Sequence, residues 1–151
     1  MTAEVTTSAL AIAPITDGDV ADAIALWQRC GLTRPWNDPA ADIALARRGP
    51  GSAVLVGRDN GRIVATAMVG HDGHRGWVYY VAVDPDRQGK GLGRSIMSAA
   101  EDWLRAAGVP KLQLLVRREN TRAGAFYQSL GFEESTSVMF AKWLDGREAT
   151  P

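Results

Sequence analysis

The sequence predicts an α+β fold: a mixed, largely antiparallel sheet with helices on both faces. Three observations carry this. Apolar β-branched runs and helical stripes alternate in the order β-α-α-β-β-β-α-β-α-β. Strands outnumber helices. One strand–helix–strand crossover is evident, from Trp77 to Val116, so only one parallel pair is demanded.

The elements follow in order. Leu10 to Ile15 is a short apolar strand. Thr16-Asp17 offers an N-cap, and Val20, Ile24 and Trp27 then recur at helical spacing until Gly31. Arg34-Pro35-Trp36-Asn37-Asp38-Pro39 reads as a loop. Its end starts a second helix, with Asp38 as N-cap, Pro39 at the first helical position and Gly49 as stop. Ala53 to Gly57 and Ile63 to Val69 are strands flanking Asp59-Asn60-Gly61-Arg62, a hairpin signal. Gly70 to Gly76 is a turn with both histidines, and Trp77 to Val83 is an aromatic, β-branched strand ended by Asp84-Pro85.

From Gly91 the period is helical, with Leu92, Ile96, Ala99, Trp103 and Ala107 as the expected apolar face and Gly108 as the end. Leu112 to Val116 is a strand, Arg122 to Leu130 a helix stopped by Gly131, and Val138 to Trp143 a last strand. The expected organisation is a single domain over 10–144, with flexible ends at 1–9 and 145–151.

Bulk properties exclude several classes. A chain of 151 residues fits one domain, and at that length folding buries roughly 68–70% of the unfolded surface. With 46% hydrophobic and 23% charged residues the chain is neither disordered nor a coiled coil. Seventeen basic and seventeen acidic side chains cancel, so no global basic field points to nucleic acid. No apolar run reaches about 18 residues, so no membrane span is expected. Cys30 is the one cysteine and sits in a helical pattern, which reads as a small buried group in a reducing, cytoplasmic compartment. The two histidines have no sequence partners with metal-site spacing, so no metal is expected.

The chemistry centres on one constellation. The strand Val78-Tyr79-Tyr80-Val81-Ala82-Val83 feeds Gln88-Gly89-Lys90-Gly91-Leu92-Gly93-Arg94, which opens a long helix. Glycines let the backbone approach a ligand. The first helical turn has free N–H groups, and the helix dipole favours an anion there. Lys90 and Arg94 add positive charge. Together these make a pyrophosphate cradle. A P-loop would need G-x-x-x-x-G-K-[ST], which this order does not supply. A dinucleotide fingerprint would need G-x-G-x-x-G after the first strand, whereas here the spacing is G-x-G-x-G after four strands.

The Q-x-x-G-x-G pattern before a helix resembles motif A of the GNAT (GCN5-related N-acetyltransferase) superfamily. Asn120-Thr121-Arg122-Ala123-Gly124-Ala125-Phe126-Tyr127-Gln128-Ser129-Leu130-Gly131-Phe132 resembles its motif B, in the family's order and separation. The loops around Trp36 and Asp72 resemble those of the YpeA-like branch. Motif B is also similar to that of ribosomal-protein N-terminal acetyltransferases. The resemblance implies the GNAT fold, with a sheet of about six or seven strands. It also implies N-acetyl transfer from acetyl-CoA to a primary amine in a ternary complex. It implies that the backbone around Gln88, Gly89, Gly91, Gly93 and Arg94 holds the pyrophosphate, with Lys90 adjacent. A β-bulge would open the preceding strand, pantetheine would lie along Val81 and Val83, and the Val81 N–H would polarise the thioester carbonyl. Asn120 would contact the coenzyme arm, Phe126 would pack nearby, and Tyr127 would protonate the leaving thiolate.

The general base departs from the family pattern. The strand position two before Val81, often glutamate in relatives, is Tyr79, and no carboxylate lies from Trp77 to Val83. Making a lysine neutral at pH 7 costs roughly 4.6 kcal/mol, but an α-amine only about 1 to 1.4 kcal/mol. A low-pKa amine therefore tolerates the missing base better. Trp36, Asp38, Asp72 and Tyr79 are acceptor-side candidates, and His71, His74 and Glu119 are further loop groups. The acceptor stays open among protein N-termini, lysines and small amines. The alternative is a non-catalytic acyl-CoA-binding or sensing module. The final strand, Val138 to Trp143, would offer a pairing edge for a homodimer.

Overall fold

A computed structural model describes residues 10–148. The leader expected at 1–9 and the tail end at 149–151 lie outside the described residues. Five strands form one sheet in chain order: β1 Ala11–Pro14, β2 Ser52–Asp59, β3 Arg62–His71, β4 Gly76–Val83 and β5 Leu112–Gln113. The first four pair antiparallel, and β5 pairs parallel to β4. Four α-helices occur among the described residues: α1 Val20–Arg29, α2 Pro39–Ala46, α3 Leu92–Ala106 and α4 Thr121–Ser129. The α+β class and the mixed sheet therefore stand, with α3 as the crossover of the one parallel pair. The chain forms two compact units, the first ending at Leu114 and the second beginning at Leu115.

In the first unit the hairpin forms as the local chemistry demands. Asn60 and Gly61 have φ of 49° and 79°, the left-handed pair that lets two twisted strands meet in a tight turn. Alternation along β2 and β3 then sorts the core onto two faces. Val54 and Val56 face α1 and α2 in a cluster with Trp27, Leu26 and Ile43. Leu55, Ala65, Ala67 and Val69 are also buried and by alternation face the other way, where α3 lies against β3 and β4. Helices thus cover both faces. The α3 side approaches closely at Gly76, where a Cβ would stand 2.5 Å from Leu104 Cδ1.

Two expectations need correction. The buried stripe of α3 is Ile96, Met97, Ala100 and Leu104. Trp103 is only half-buried and Ala107 is exposed, so the stripe is rotated from the one expected. Trp103 instead sets its ring 6.3 Å from His71. The sheet has five strands among the described residues, not six or seven. β5 stops at Gln113, well short of Val116, because its pairing with β4 ends at Trp77. Val138 to Trp143 forms no strand among the described residues, and Phe140 is 93% exposed. Its apolar composition suits a half-buried pleat, but strand formation needs a partner edge.

The second unit is built around α4. Asn120 caps it, its Oδ1 accepting from the Ala123 N–H at 3.1 Å. The rings of Phe126 and Phe132 pack edge-on against Tyr127 at 5.1 and 5.7 Å. Near the end of the described chain, Arg147 stacks over Trp143 and pairs with Asp145.

Candidate active site

The site in the first unit begins at an irregularity in β4. Its register against β3 runs Ala65↔Val83 and Thr66↔Ala82, then jumps to Met68↔Tyr79. Two residues of β4, Tyr80 and Val81, thus face the single Ala67, which is a β-bulge. Tyr80 has φ +51°, a left-handed conformation that costs a non-glycine residue roughly 1–2 kcal/mol. Three contacts hold it there. Its ring stacks on Trp27 at 3.8 Å with 9° between planes. Its hydroxyl donates to Asp42 Oδ2 at 2.7 Å, and its carbonyl accepts from the Thr66 hydroxyl at 2.8 Å. Burial, and then the Asp42 contact, push the Tyr80 phenol well above its ordinary value.

The bulge bends β4 and increases its twist. Pairing with β5 covers only Gly76 and Trp77, so the β4 edge from Val78 to Val83 has no strand partner among the described residues. The family resemblance leads us to expect the pantetheine opening along this edge, beside Val81 and Val83. The Asp84 N–H donates to the Val64 carbonyl at 2.8 Å, so antiparallel alternation aims the N–H and carbonyl of Val83 away from β3. That carbonyl already accepts from Gln88 Nε2 at 3.2 Å and Cys30 Sγ at 3.3 Å. Burial raises the Cys30 thiol pKa, which fits its packing role.

The turn after β4 is anchored by Asp84. Asp84 is 3% exposed, and its carboxylate forks with Arg29 at 2.8 and 3.2 Å and accepts the Asp86 N–H. Burial opposes its charge, but these donors outweigh burial and hold its pKa low. The chain then passes through a short 3-10 turn, Pro85–Arg87, into Gly89 and Gly91 at φ +77° and +78°. Gly91 is the N-cap of α3, so the helix has no capping side chain, and its first turn carries no acidic residue. Gln88 to Gly91 and Arg94 are exposed. Lys90 and Arg94 make no ion pair among the described residues. The N–H groups of Leu92, Gly93 and Arg94 are the orphan donors of the helix start. An uncapped, cationic N-terminus of a 15-residue helix is a site for an anion.

Three expected residues fall in the second unit. Asn120 spends its Oδ1 on the α4 cap and keeps its amide donors. Phe126 and Tyr127 share the ring cluster. Burial raises the Tyr127 pKa, so the phenol stays protonated across the neutral range and can give a proton.

The acceptor-side candidates divide by how their atoms are used. Asp38 caps α2, accepting the Ala41 N–H at 3.1 Å. Asp72 closes its turn, accepting from His74 and Arg75 N–H at 2.9 and 2.8 Å and from Trp77 Nε1 at 3.4 Å. The Arg75 and His74 bonds hold its pKa down. Tyr79, just before the bulge, is 49% exposed. Trp36 lies in the turn before α2. His71 Nδ1 accepts the Gly73 N–H, and His74 and Glu119 are exposed. Sequence reasoning missed Asp42, Thr66 and the part played by Tyr80. A threonine in the apolar run Ile63 to Val69 was the one signal for Thr66.

Comparison with known proteins identifies a family. The model of the acetyltransferase (GNAT) family matches residues 20–132. An acetyltransferase of Yersinia pestis (strain Pestoides F) is 40% identical over 126 residues, covering 83% of this chain and 89% of its own. The ribosomal-protein-S18-alanine N-acetyltransferase of Escherichia coli is similar in structure, with TM-score 0.71 and 31% identity over 84% of this chain and 79% of that one. The structure of AAC(6')-Iy with the bisubstrate analog CoA-S-monomethyl-acetylneamine gives TM-score 0.76 over 89% of this chain and 97% of that one. Its 18% identity makes that a likeness of fold.

Proposed function

The chain belongs to the GNAT family of acetyltransferases, and from that premise we propose that it acetylates a primary amine by direct attack in a ternary complex. Its activity as an acetyl-CoA-dependent acetyltransferase follows from the family. The acceptor class and the residue roles are our reading. The observation that carries it is the uncapped, glycine-rich start of α3, following directly on a bulged strand.

In this reading the coenzyme pyrophosphate rests on the turn from Gln88 to Arg94, with Lys90 and Arg94 balancing its charge. Pantetheine lies along the β4 edge near Val81 and Val83. The neutral amine attacks the thioester carbon, and the Val81 N–H stabilises the oxyanion that forms. The intermediate expels the coenzyme thiolate, which takes its proton from Tyr127, and the amine's surplus proton passes to water, from which Tyr127 is reprotonated. Asn120 and Phe126 support the coenzyme arm. Tyr79, half-exposed just before the bulge, is the acceptor-side group we assign to meet an amine, with Trp36 as the second candidate, while Asp38 and Asp72 accept N–H groups within their own turns.

The absence of a carboxylate from Trp77 to Val83 favours an acceptor that is already partly neutral. At pH 7 an α-amine has on the order of 10²-fold more neutral form than a lysine side chain. The likeness to the S18-alanine enzyme at 31% identity supports an α-amine. The test is coenzyme A release with three acceptors: a peptide with a free α-amine, the same peptide N-blocked with one lysine, and spermidine. Faster turnover of the α-amine peptide at pH 7 is expected. Faster turnover of the blocked lysine peptide would overturn the preference.

A further inference from the structure

We propose that Thr66 is a positioning residue of the acetyl-transfer site, fixing through the Tyr80 carbonyl the peptide plane that carries the Val81 N–H. This rests on the reading of Val81 as the thioester donor. The carbonyl of Tyr80 and the N–H of Val81 belong to one peptide unit, and no cis peptide occurs among the described residues. In a trans unit the two groups lie in one plane and point oppositely. Whatever holds the Tyr80 oxygen therefore aims the Val81 N–H.

The holding group is the Thr66 hydroxyl, which donates to the Tyr80 oxygen at 2.8 Å. Thr66 is fully buried in the middle of β3, a position that otherwise suits valine. Its oxygen is fixed in turn by Trp27 Nε1, which donates to it at 2.8 Å. The result is an ordered relay from the Trp27 indole through the Thr66 hydroxyl and the Tyr80 carbonyl to the Val81 N–H. Each donor in such a chain polarises the next, by about 10–30% per bond. The relay thus aims the terminal N–H and strengthens it as a donor. The same Trp27 ring stacks on Tyr80, so one buried side chain supports the bulge by its face and by its edge. The bulge needs that support: Tyr80 and Val81 have no register partner in β3, and Tyr80 stands at φ +51°.

The test reads the thioester directly and needs no acceptor. Isotope-edited infrared difference spectra are recorded for [1-13C]acetyl-CoA bound to wild type, Thr66→Val, Thr66→Ser and Trp27→Phe, with coenzyme A affinity measured by calorimetry. In wild type the carbonyl stretch is expected below its value in free acetyl-CoA. Thr66→Val should return it toward the free value while coenzyme A affinity stays within about twofold, since the pyrophosphate grip is elsewhere. Thr66→Ser, which keeps the hydroxyl, should restore the wild-type stretch. With any amine the wild type turns over, kcat of Thr66→Val should fall about tenfold at unchanged KM for acetyl-CoA. A Thr66→Val protein with the wild-type stretch overturns the proposal. If Thr66→Val does not fold, Trp27→Phe decides: a partial return supports the relay and an unmoved stretch overturns it. Wild type that binds acetyl-CoA without any shift overturns the Val81 reading, and with it the part assigned to Thr66. Wild type that does not bind acetyl-CoA removes the coenzyme site itself.

Discussion

Tyr127 and Gly91 are single residues required for unlike reasons. Tyr127 is a matter of proton affinity. Burial lifts its pKa, so it stays a phenol throughout the pH range in which an amine nucleophile is free. Its proton is therefore never the limiting species below its ordinary value of about 10. Tyr127→Phe keeps the ring contacts with Phe126 and Phe132 and removes only the hydroxyl, the acid of the proposed reaction. A thiolate leaves without much help, so the loss in kcat should be near the lower end of acid catalysis, on the order of 10²-fold. Stopped-time assays of coenzyme release would check it, and an unchanged rate removes the acid role. Gly91 is a matter of backbone. At φ +78° with no heavy atom within 4 Å of a built Cβ, Gly91→Ala fits in space but strains the chain by roughly 1–2 kcal/mol. The expected outcome is a folded protein with weaker coenzyme A binding in calorimetry. Gly91→Asn should lose less, because asparagine tolerates the left-handed region.

Elements form where local chemistry agrees with a partner, and their legibility in the sequence follows that division. The Asn60-Gly61 hairpin and the Asp38-Pro39 start of α2 were readable because each is decided within four residues. The turn from Gln88 to Arg94 was readable for the same reason: its glycines, cations and helix are contiguous. The bulge, the truncated β5 and the unpaired Val138 to Trp143 were not, since each depends on an edge supplied from far along the chain. The support of the bulge is the extreme case. Trp27, Asp42, Thr66 and Tyr80 come from four elements, and only Thr66, a hydroxyl in an apolar run, departs from the local pattern of its own. A similar long-range tie starts α1. Asp19 accepts from the Thr16 N–H and hydroxyl at 2.8 and 2.9 Å and pairs with Arg58 of β2 at 2.5 Å. Arg58 first, and then the Thr16 N–H, lower its pKa to about 2, against an ordinary value of about 3.9. A depressed carboxyl stabilises the fold above the unfolded-state value and ceases to do so as pH falls through the folded-state value. Asp19→Asn should therefore unfold at lower urea than wild type at pH 6, and the gap should close between about pH 4 and pH 2. A gap as large at pH 2 as at pH 6 would mean that packing, not charge, is what Asp19 contributes.

At the scale of the whole molecule, charge is balanced and function must be local. Seventeen cations and seventeen anions cancel, so no long-range field steers a polyanion toward the chain. Several cations are committed to acids: Arg29 to Asp84, Arg47 to Asp17, Arg58 to Asp19, Arg87 to Asp59. Lys90 and Arg94 make no such pair among the described residues, and they flank the uncapped start of α3. A neutral protein can thus bind a highly charged coenzyme through one exposed corner. Exposed charges are screened beyond about 8–10 Å at physiological salt, so the attraction acts at contact range and weakens as salt rises. Coenzyme A affinity should fall steadily between low and high ionic strength. Lys90→Ala and Arg94→Ala should each weaken binding by about tenfold at low salt, the value of a charge-assisted contact. The double variant should show a flatter salt dependence than wild type. Titrations by calorimetry across a salt series would measure both slopes. Equal slopes in wild type and double variant would move the anion site away from α3.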